Sequence, residues 1–451
     1  MSKLFAHGIP FAPKKTGLSQ IFPLSVLLLA PSLSSSIAYA QESTLAPVVV
    51  KEKKEQALGK DSVKADLTSI GKGKQQLRDI PQSITVVTEK LIDDRNLDTL
   101  KEALRNTAGI TFLAAEGGEE DIRLRGFSLQ ATGDVFVDGM RDPAFYDRDT
   151  FALDRMEVLR GSASMLFGRG STGGAVNQVT KKAHLISENL VDVTLGSHQY
   201  ARVQADLNLP LENNNSVRIN AMGNKADNNG SGSSINKQGI AANLRTGIGE
   251  KHEFSASIYH LNNDNGMNYG LPWILPNAQS SDLDKTVIPL DPTAYYGMES
   301  DYNHGKASMA TLEHTFRIDP QTELKTQLRK GEFSRDQRAS AIRWNAPSNG
   351  TNTGNTSPAK PTLISNLTDK TKLYRGTNNK IQDLDQVLFQ SDFTTSTTLL
   401  GQKHDILSGI DFAKDKALLA CMFALFVQLA NREFFLDLEV RFFGTGICIS
   451  F

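Results

Sequence analysis

Gly168-Arg169-Gly170-Ser171-Thr172-Gly173 spells G-x-G-x-x-G. At that spacing a glycine-rich turn can cradle the pyrophosphate of a dinucleotide at a helix N-terminus. The chemistry requires a strand before the turn and a helix after it. Here Ala175 to Lys181 (AVNQVTK) follows, which reads as strand or loop. The glycines therefore fit tight turns and close backbone approach instead. No G-x-S-x-G nucleophile elbow, H-E-x-x-H zinc pair or clustered Cys/His set occurs. The eight histidines are scattered, and a lone histidine is more often packing or surface than a metal ligand. No catalytic constellation results, so no enzyme, resident cofactor or metal is expected.

A second stretch has a physical use without chemistry. Leu45-Ala46-Pro47-Val48-Val49-Val50 is a β-prone hexapeptide, followed by the charged run Lys51-Glu52-Lys53-Lys54-Glu55. Such a segment makes a poor core element but can add a strand to another protein's sheet edge. Its bland alternative is an ordinary first strand of the same domain.

These segments sit in a chain of 451 residues with 49 Lys+Arg against 50 Asp+Glu and only 2 Cys. The net charge of −1 argues against a nucleic-acid partner. Two cysteines exclude a disulfide scaffold and Cys-rich metal modules. No internal apolar run suits a multi-helix membrane protein. A transmembrane β-barrel remains compatible, because alternation dilutes its apolar residues.

Residues 1–40 read as a secretory signal. Lys3, Lys14 and Lys15 form a basic start, Ile21 to Ala30 an apolar core, and Ala38-Tyr39-Ala40 a small-x-small cleavage pattern. Removal near Ala40 leaves a mature chain with 46 basic and 50 acidic residues, net −4.

Beyond the 41–60 linker region, two textures follow. Residues 61–182 suit a small α+β unit. Ser83 to Thr88 (SITVVT) is β-rich, and Ile122–Arg125 and Val135–Val137 alternate as short strands. Asp98 to Glu102 opens a short helix, with Thr99 and Glu102 spaced as a capping box. Phe151 to Arg160 fits helix, turn or strand.

From about Val191 the period becomes two. In Tyr200 to Leu209, Ala201, Val203, Ala205, Leu207 and Leu209 share one face, with Arg202, Gln204, Asp206 and Asn208 on the other. That division suits a strand between lipid and water. Similar alternation recurs at 217–224, 240–248, 253–261, 309–318, 323–330, 387–393 and 404–412. Asn213–Asn215, Gly249–Lys251 and Asp319–Gln321 are short turn signals, whereas 262–305 and 331–385 read as long polar loops. Short turns on one side and long loops on the other favour an outer-membrane barrel over a soluble sandwich.

The composition changes at Ala417. The last 35 residues hold 24 apolar ones, both cysteines and 7 of the 22 phenylalanines. Residues 417–451 read as an atypical tail translated out of frame, with a native C-terminal helix as the alternative.

Leu153 to Lys181 (LDRMEVLRGSASMLFGRGSTGGAVNQVTK), Asp79 to Val87 (DIPQSITVV), Ile122 to Phe127 (IRLRGF) and Val137 to Asp142 (VDGMRD) closely resemble the plug of TonB-dependent ferric siderophore receptors. The resemblance covers roughly Leu45 to Lys416. Arg141 to Phe151 looks most like the catecholate subgroup. The resemblance implies an α+β plug domain (61–182) followed by an antiparallel transmembrane β-barrel, 22-stranded in the family. It implies a transported ferric siderophore, the outer-membrane lipid as surroundings, and the cell outer membrane of a Gram-negative bacterium as location. Leu45, Ala46, Pro47, Val48, Val49 and Val50 would be the TonB box, captured by TonB with its inner-membrane energising complex. Arg125 and Arg160 map to arginines that pair with barrel glutamates in the family. Ligand-contact candidates are Phe127, Arg141, Phe145 and Tyr146 on the plug, and Tyr269, Trp273, Tyr295, Tyr296 and Trp344 in loops.

At roughly 20–25 residues per strand and connection, residues 183–416 supply about ten strands, so only about the first half of such a barrel is expected. Such a truncated chain is not expected to transport, because open sheet edges are not tolerated in lipid. The rivals are a passive porin-like channel, a soluble periplasmic binding module made from the plug, and a receptor for haem, cobalamin or a sugar.

Overall fold

In the computed structural model, residues 60, 62–113, 121–129, 133–143, 146–167, 172–228, 233–270, 273–287, 291, 294–344, 362–368, 370–399, 402–423, 432–435 and 439–442 are described. The signal segment, the Leu45–Val50 hexapeptide, Phe145 and the first four residues of the glycine motif lie outside them.

The first described part is a small α+β unit. It runs β1 (Leu67–Thr68), β2 (Gln75–Gln76), β3 (Ser83–Thr88), α1 (Glu89–Asp94), α2 (Leu100–Leu104), β4 (Ile110–Leu113), β5 (Asp121–Leu124), β6 (Phe127–Ser128), β7 (Val135–Val137), β8 (Met140–Arg141), β9 (Leu153–Arg160), α3 (Ser164–Phe167) and β10 (Gly174–Thr180). A five-stranded sheet has the order β3-β9-β10-β7-β8, with β10 parallel to β7. Phe151 to Arg160 resolves to strand: β9 is the middle of that sheet's antiparallel pairs, and Met156 and Val158 are fully buried. Strand and both helices share one core, in which Val87, Ile92, Leu100, Leu104, Ile122 and Val176 pack.

The predicted capping box is present. The Thr99 side chain accepts from the Glu102 amide at 3.2 Å, and Glu102 accepts from the Thr99 amide at 3.0 Å. α2 has only five residues, too few to stand alone, so the cap and the buried Leu100, Ala103 and Leu104 hold it. Thr99→Ala is expected to cost about 1 kcal/mol in urea unfolding of this unit.

The second part is one sheet in which sequence neighbours pair antiparallel. Its long strands are β11 (Glu188–Leu195), β12 (Ala201–Leu211), β13 (Asn215–Asn228), β14 (Ser233–Thr246), β15 (His252–Gly266), β18 (Tyr302–Asp319), β19 (Thr322–Trp344), β20 (Leu373–Leu399) and β21 (Gln402–Phe423). Between β15 and β18 a separate hairpin pairs β16 (Trp273–Ile274) with β17 (Thr286–Val287). Two short strands, β22 (Arg432–Phe435) and β23 (Glu439–Phe442), pair with β21. The composition break at Ala417 therefore falls inside β21, which continues to Phe423. Among the described residues no helix is long and apolar enough to cross a membrane, which leaves crossing by strands open.

The outer surface of this sheet is apolar in a band. Val203, Leu244, Phe254, Ile258, Leu312 and Leu328 are all at least 41% exposed. Every one alternates with an inward neighbour such as Arg202, Arg245, Glu253 or Gln327, each under 10% exposed. Such a wall suits lipid outside and a filled lumen inside.

The long polar stretches 262–305 and 331–385 are not all loop. β15 runs on to Gly266, β18 starts at Tyr302, β19 reaches Trp344 and β20 begins at Leu373. The physical reason is visible on the outward face of β19. Above Leu328 come Lys330 and Glu332, an exposed ion pair at 2.5 Å. There the sheet has left the apolar band, so its outer face is polar too and the alternation that marks a strand disappears.

Candidate functional site

The inward face of the wall carries Arg202, Asp206, Asn208, Arg218, Asn220 and Arg245, every one of them at most 8% exposed. The sequence assigns this polar face to water. In the structure the α+β unit covers it, and charge meets charge across the seam. Arg202 grips Asp149 through two hydrogen bonds, Nη2–Oδ1 2.7 Å and Nη1–Oδ2 3.1 Å. Its Nε lies 3.3 Å from Asp98 Oδ1, and the Tyr200 hydroxyl donates to Asp98 at 2.6 Å. Lower on the wall, Lys181 reaches Glu89 at 2.8 Å and Asp206 at 3.1 Å, while Arg218 holds Asp206 through Nε and Nη2 at 2.7 and 2.6 Å. Lys182 meets Glu313 at 2.9 Å.

The segment Asp142 to Thr150 is the upper docking point. Arg148, 2% exposed, donates to Asp142 at 2.6 Å and to the Pro143 carbonyl at 2.7 Å. Tyr146 donates to Asp142, lies 4.9 Å from the Arg148 guanidinium carbon, and stacks on Phe333 of β19 with ring centroids 5.5 Å apart. Burial, and then the Asp142 charge, push the Tyr146 phenol well above its ordinary value, so it remains a donor.

Inside the small unit, Asp154 sits 2.6 Å from Arg155. Burial pushes its carboxyl up to about 6, against a pull downwards from Arg155. The folded state thus holds this proton at pH values where the unfolded chain has released it. Stability is then lost as pH rises from about 4 to about 6 and is level above that. Asp154→Asn is expected to remove this slope, an effect of up to about 3 kcal/mol, in urea titrations run at pH 4 and pH 7.

The named candidates are placed as follows. Arg125 has a left-handed backbone, φ +53°, and its amide donates to the Gly109 carbonyl at 2.8 Å. Arg160 ends β9, donating to the Ala108 carbonyl at 2.9 Å and to Ser83 Oγ at 3.2 Å. Burial, helped by the nearby Arg125 charge, lowers the Arg160 pKa. Among the described residues neither arginine meets a carboxylate. Phe127 is 47% exposed. Arg141 Nη2 donates to the Phe167 carbonyl at 3.3 Å. Tyr146 is committed to the seam rather than open to a ligand, because its ring and hydroxyl are both used there.

In the long loop, Trp273 is 63% exposed and sits opposite Val287 in the β16–β17 hairpin. The Tyr295 hydroxyl lies 2.9 Å from the Met267 carbonyl, and Tyr269 accepts from Asn378 at 3.3 Å. Tyr296 gives its carbonyl to Arg375 at 2.6 Å. Trp344 closes β19 opposite Leu373. Tyr269, Tyr295 and Tyr296 therefore tie the loop together. The structure does not gather the candidates into one pocket. What it gathers instead is the ionic seam, whose residues the sequence reading passed over apart from noting the polar face of β12.

The glycine motif also resolves. Helix α3 precedes it and strand β10 follows it, the reverse of a dinucleotide turn. Gly174 adopts φ +135°, and a Cβ there would stand 2.0 Å from the Leu159 carbonyl oxygen.

A plug-like α+β unit seated by buried ion pairs against an antiparallel, outward-apolar wall defines the class of plugged β-barrel receptors. The family profile described as TonB-dependent Receptor Plug Domain matches residues 76–175. The chain is 30% identical over 254 residues to the probable TonB-dependent siderophore receptor PiuA of Acinetobacter baumannii, covering 55% of this chain and 34% of that protein. It is 25% identical over 349 residues to the catecholate siderophore receptor Fiu of Escherichia coli O157:H7, covering 75% of this chain and 44% of that protein. The crystal structure of PiuA superposes with a TM-score of 0.68 at 23% identity, over 80% of this chain and 49% of that one. The closed form of Fiu from Escherichia coli K12 gives 0.68 at 22% identity, over 82% and 51%. The chain belongs to the TonB-dependent siderophore receptors, and it spans about a third to under half the length of these curated relatives.

Proposed function

We propose that the chain is the plug and the first wall strands of an outer-membrane receptor that takes up a ferric siderophore in a Gram-negative cell. Leu45 to Val50 would be the segment that TonB captures as an added strand. The observation that carries the reading is the seam: a folded domain held inside a lipid-facing wall by buried ion pairs such as Arg202–Asp149. A passive porin has no use for such a domain, since it fills the lumen. A catecholate cargo is favoured because the relative matched over the larger share of this chain is named a catecholate siderophore receptor. Phe127, Arg141 and Trp273 remain candidate ligand contacts, by exposure or by charge. Uptake of an intact chelate needs no bond chemistry, in keeping with relatives that are named receptors.

The 451-residue polypeptide alone is proposed not to transport. Among the described residues its sheet path runs from β11 to β22 without the two ends joining, and lipid does not tolerate open edges. Capture of the periplasmic domain of TonB by the membrane-extracted chain tests the receptor reading. Saturable capture, lost when residues 45–50 are deleted, is expected. No capture, or capture indifferent to that deletion, would overturn it.

A further inference from the structure

Lys181 to Ser187 connect β10 of the plug to β11 of the wall, and no strand pairs with them. Their backbone groups still need partners where they are buried, and the wall supplies them from side chains. Asn243 Oδ1 accepts from the Ala183 amide at 2.8 Å, and Arg245 Nη1 donates to the Ala183 carbonyl at 2.6 Å. Asn208 Oδ1 accepts from the His184 amide at 3.1 Å. Its Nδ2 donates to the carbonyls of His184 and Ile186 at 2.7 and 2.6 Å. Ser216 Oγ donates to the His184 carbonyl at 2.8 Å, and Arg218 Nη1 to that of Lys182 at 3.3 Å. Ala183 is fully buried.

The bolts are themselves held. Asn243 Nδ2 donates to Ser255 and Ser257, each at 2.8 Å, which fixes its oxygen towards Ala183. Arg245 is also locked to Glu253 by Nε–Oε1 at 2.8 Å. Each bolt therefore has a defined orientation before the connector arrives, and side chains held by two sets of bonds position a third group well.

The other end of the plug is held differently. In the β1–β2 hairpin, the Ser69 amide donates to Glu157 at 2.8 Å, within the plug itself. The hairpin reaches the wall through Lys72, whose Nζ is 3.2 Å from Asp392 of β20. A load entering from the N-terminal side meets this hairpin first and the bolted connector last.

We infer that Asn208, Ser216, Asn243 and Arg245 are positioning residues that fix the C-terminal end of the plug to the wall. A pull on the N-terminus then opens the plug by drawing out its N-terminal segment and does not lift the plug as one body. The inference deepens the TonB-driven reading proposed above and rests on it.

The test is to pull the full chain, reconstituted in a lipid bilayer, by its N-terminus in a force-spectroscopy experiment. The hairpin is expected to release first, in short extensions. A separate last barrier is expected once the chain up to about Thr180 has been drawn out. Asn208→Ala combined with Asn243→Ala is expected to lower the force of that last barrier at least twofold and leave the earlier steps unchanged. Asn243→Asp, which keeps an acceptor for the Ala183 amide, is expected to retain it. Release of the whole plug in the first event, or an unchanged last barrier in the double variant, would overturn the inference but leave the receptor reading standing. A chain that never enters the bilayer would overturn both. Amide exchange of the unsubstituted chain in detergent gives a second measurement that needs no variant. The Ala183 and His184 amides are expected to exchange at least tenfold more slowly than those of Ile70 and Lys72, and the opposite order would also overturn the inference.

Discussion

Arg202→Ala is expected to loosen the plug from the wall by about 3–5 kcal/mol, the cost of leaving a buried charge without its partner. Asp149 is the group stranded. Its side chain is fully buried, and both of its oxygens are taken by Arg202. Asp98 suffers less, because it is partly exposed and keeps the Tyr200 hydroxyl. The readout is protease resistance of the plug in the membrane-embedded chain, with cleavage expected in the Asp142–Thr150 segment. Arg202→Met together with Asp149→Leu removes both charges and is expected to recover most of the loss, since a buried pair is often replaceable by apolar residues of similar volume. Equal sensitivity of the single and double variants would mean that the contact matters through shape and not through charge.

Gly174→Ala is expected to be at least as damaging, at roughly 3–5 kcal/mol from strain and overpacking together. The new Cβ would lie 2.0 Å from the Leu159 carbonyl oxygen and 2.6 Å from Leu124 Cδ2. Neither neighbour can retreat easily: Leu159 belongs to the central strand β9, and Leu124 is fully buried in the core. The backbone angle of +135° adds to the cost, because it suits glycine alone. Gly139→Ala is the control. Gly139 also has a positive φ, +82°, but a Cβ there meets nothing within 4 Å. Its cost is expected to stay near 1 kcal/mol. Thermal unfolding of the two variants, followed by near-UV dichroism, separates close approach from backbone strain.

The glycine motif was thus legible in kind from sequence, because the residues after it lacked a helical pattern. The capping box at Thr99 and Glu102 was legible because it is local, with both partners within one turn of helix. The wall strands were legible where lipid touches one face and the plug the other, as in Ala201 to Leu209. They were not legible beyond Leu328 of β19, where water on the outside removes the contrast between faces. The ionic seam escaped for a different reason. Arg202 and Asp149 stand 53 residues apart, and Lys182 and Glu313 stand 131 apart. Nothing in a single sequence says which inward charge meets which. One clue was available: strand residues such as Arg202 and Asp206 put opposite charges on the same inward face, which suits docking to a charged domain better than facing a water-filled channel. The aromatic candidates failed as a group because a tyrosine that ties a loop together, such as Tyr295, has the same sequence appearance as one that meets a ligand.

The seam also explains why the plug and the wall must be considered together. The wall's inner face is too charged to close on itself, and the plug's Asp149, Glu89 and Asp142 segment is too charged to be left bare. Each is the other's counter-charge, so the plug is part of the barrel's interior and its displacement is the step that energy must drive. The ferric chelate then needs a complete ring of strands around that plug to confine its path.

That requirement can be tested most directly by uptake of a radiolabelled ferric catecholate in cells that express the 451-residue chain as their sole receptor, with and without a functional TonB. The expected result is chain in the outer-membrane fraction at most, and no TonB-dependent accumulation of iron. TonB-dependent uptake by this chain alone would contradict the account, because it would show that nine long strands and a plug suffice for transport.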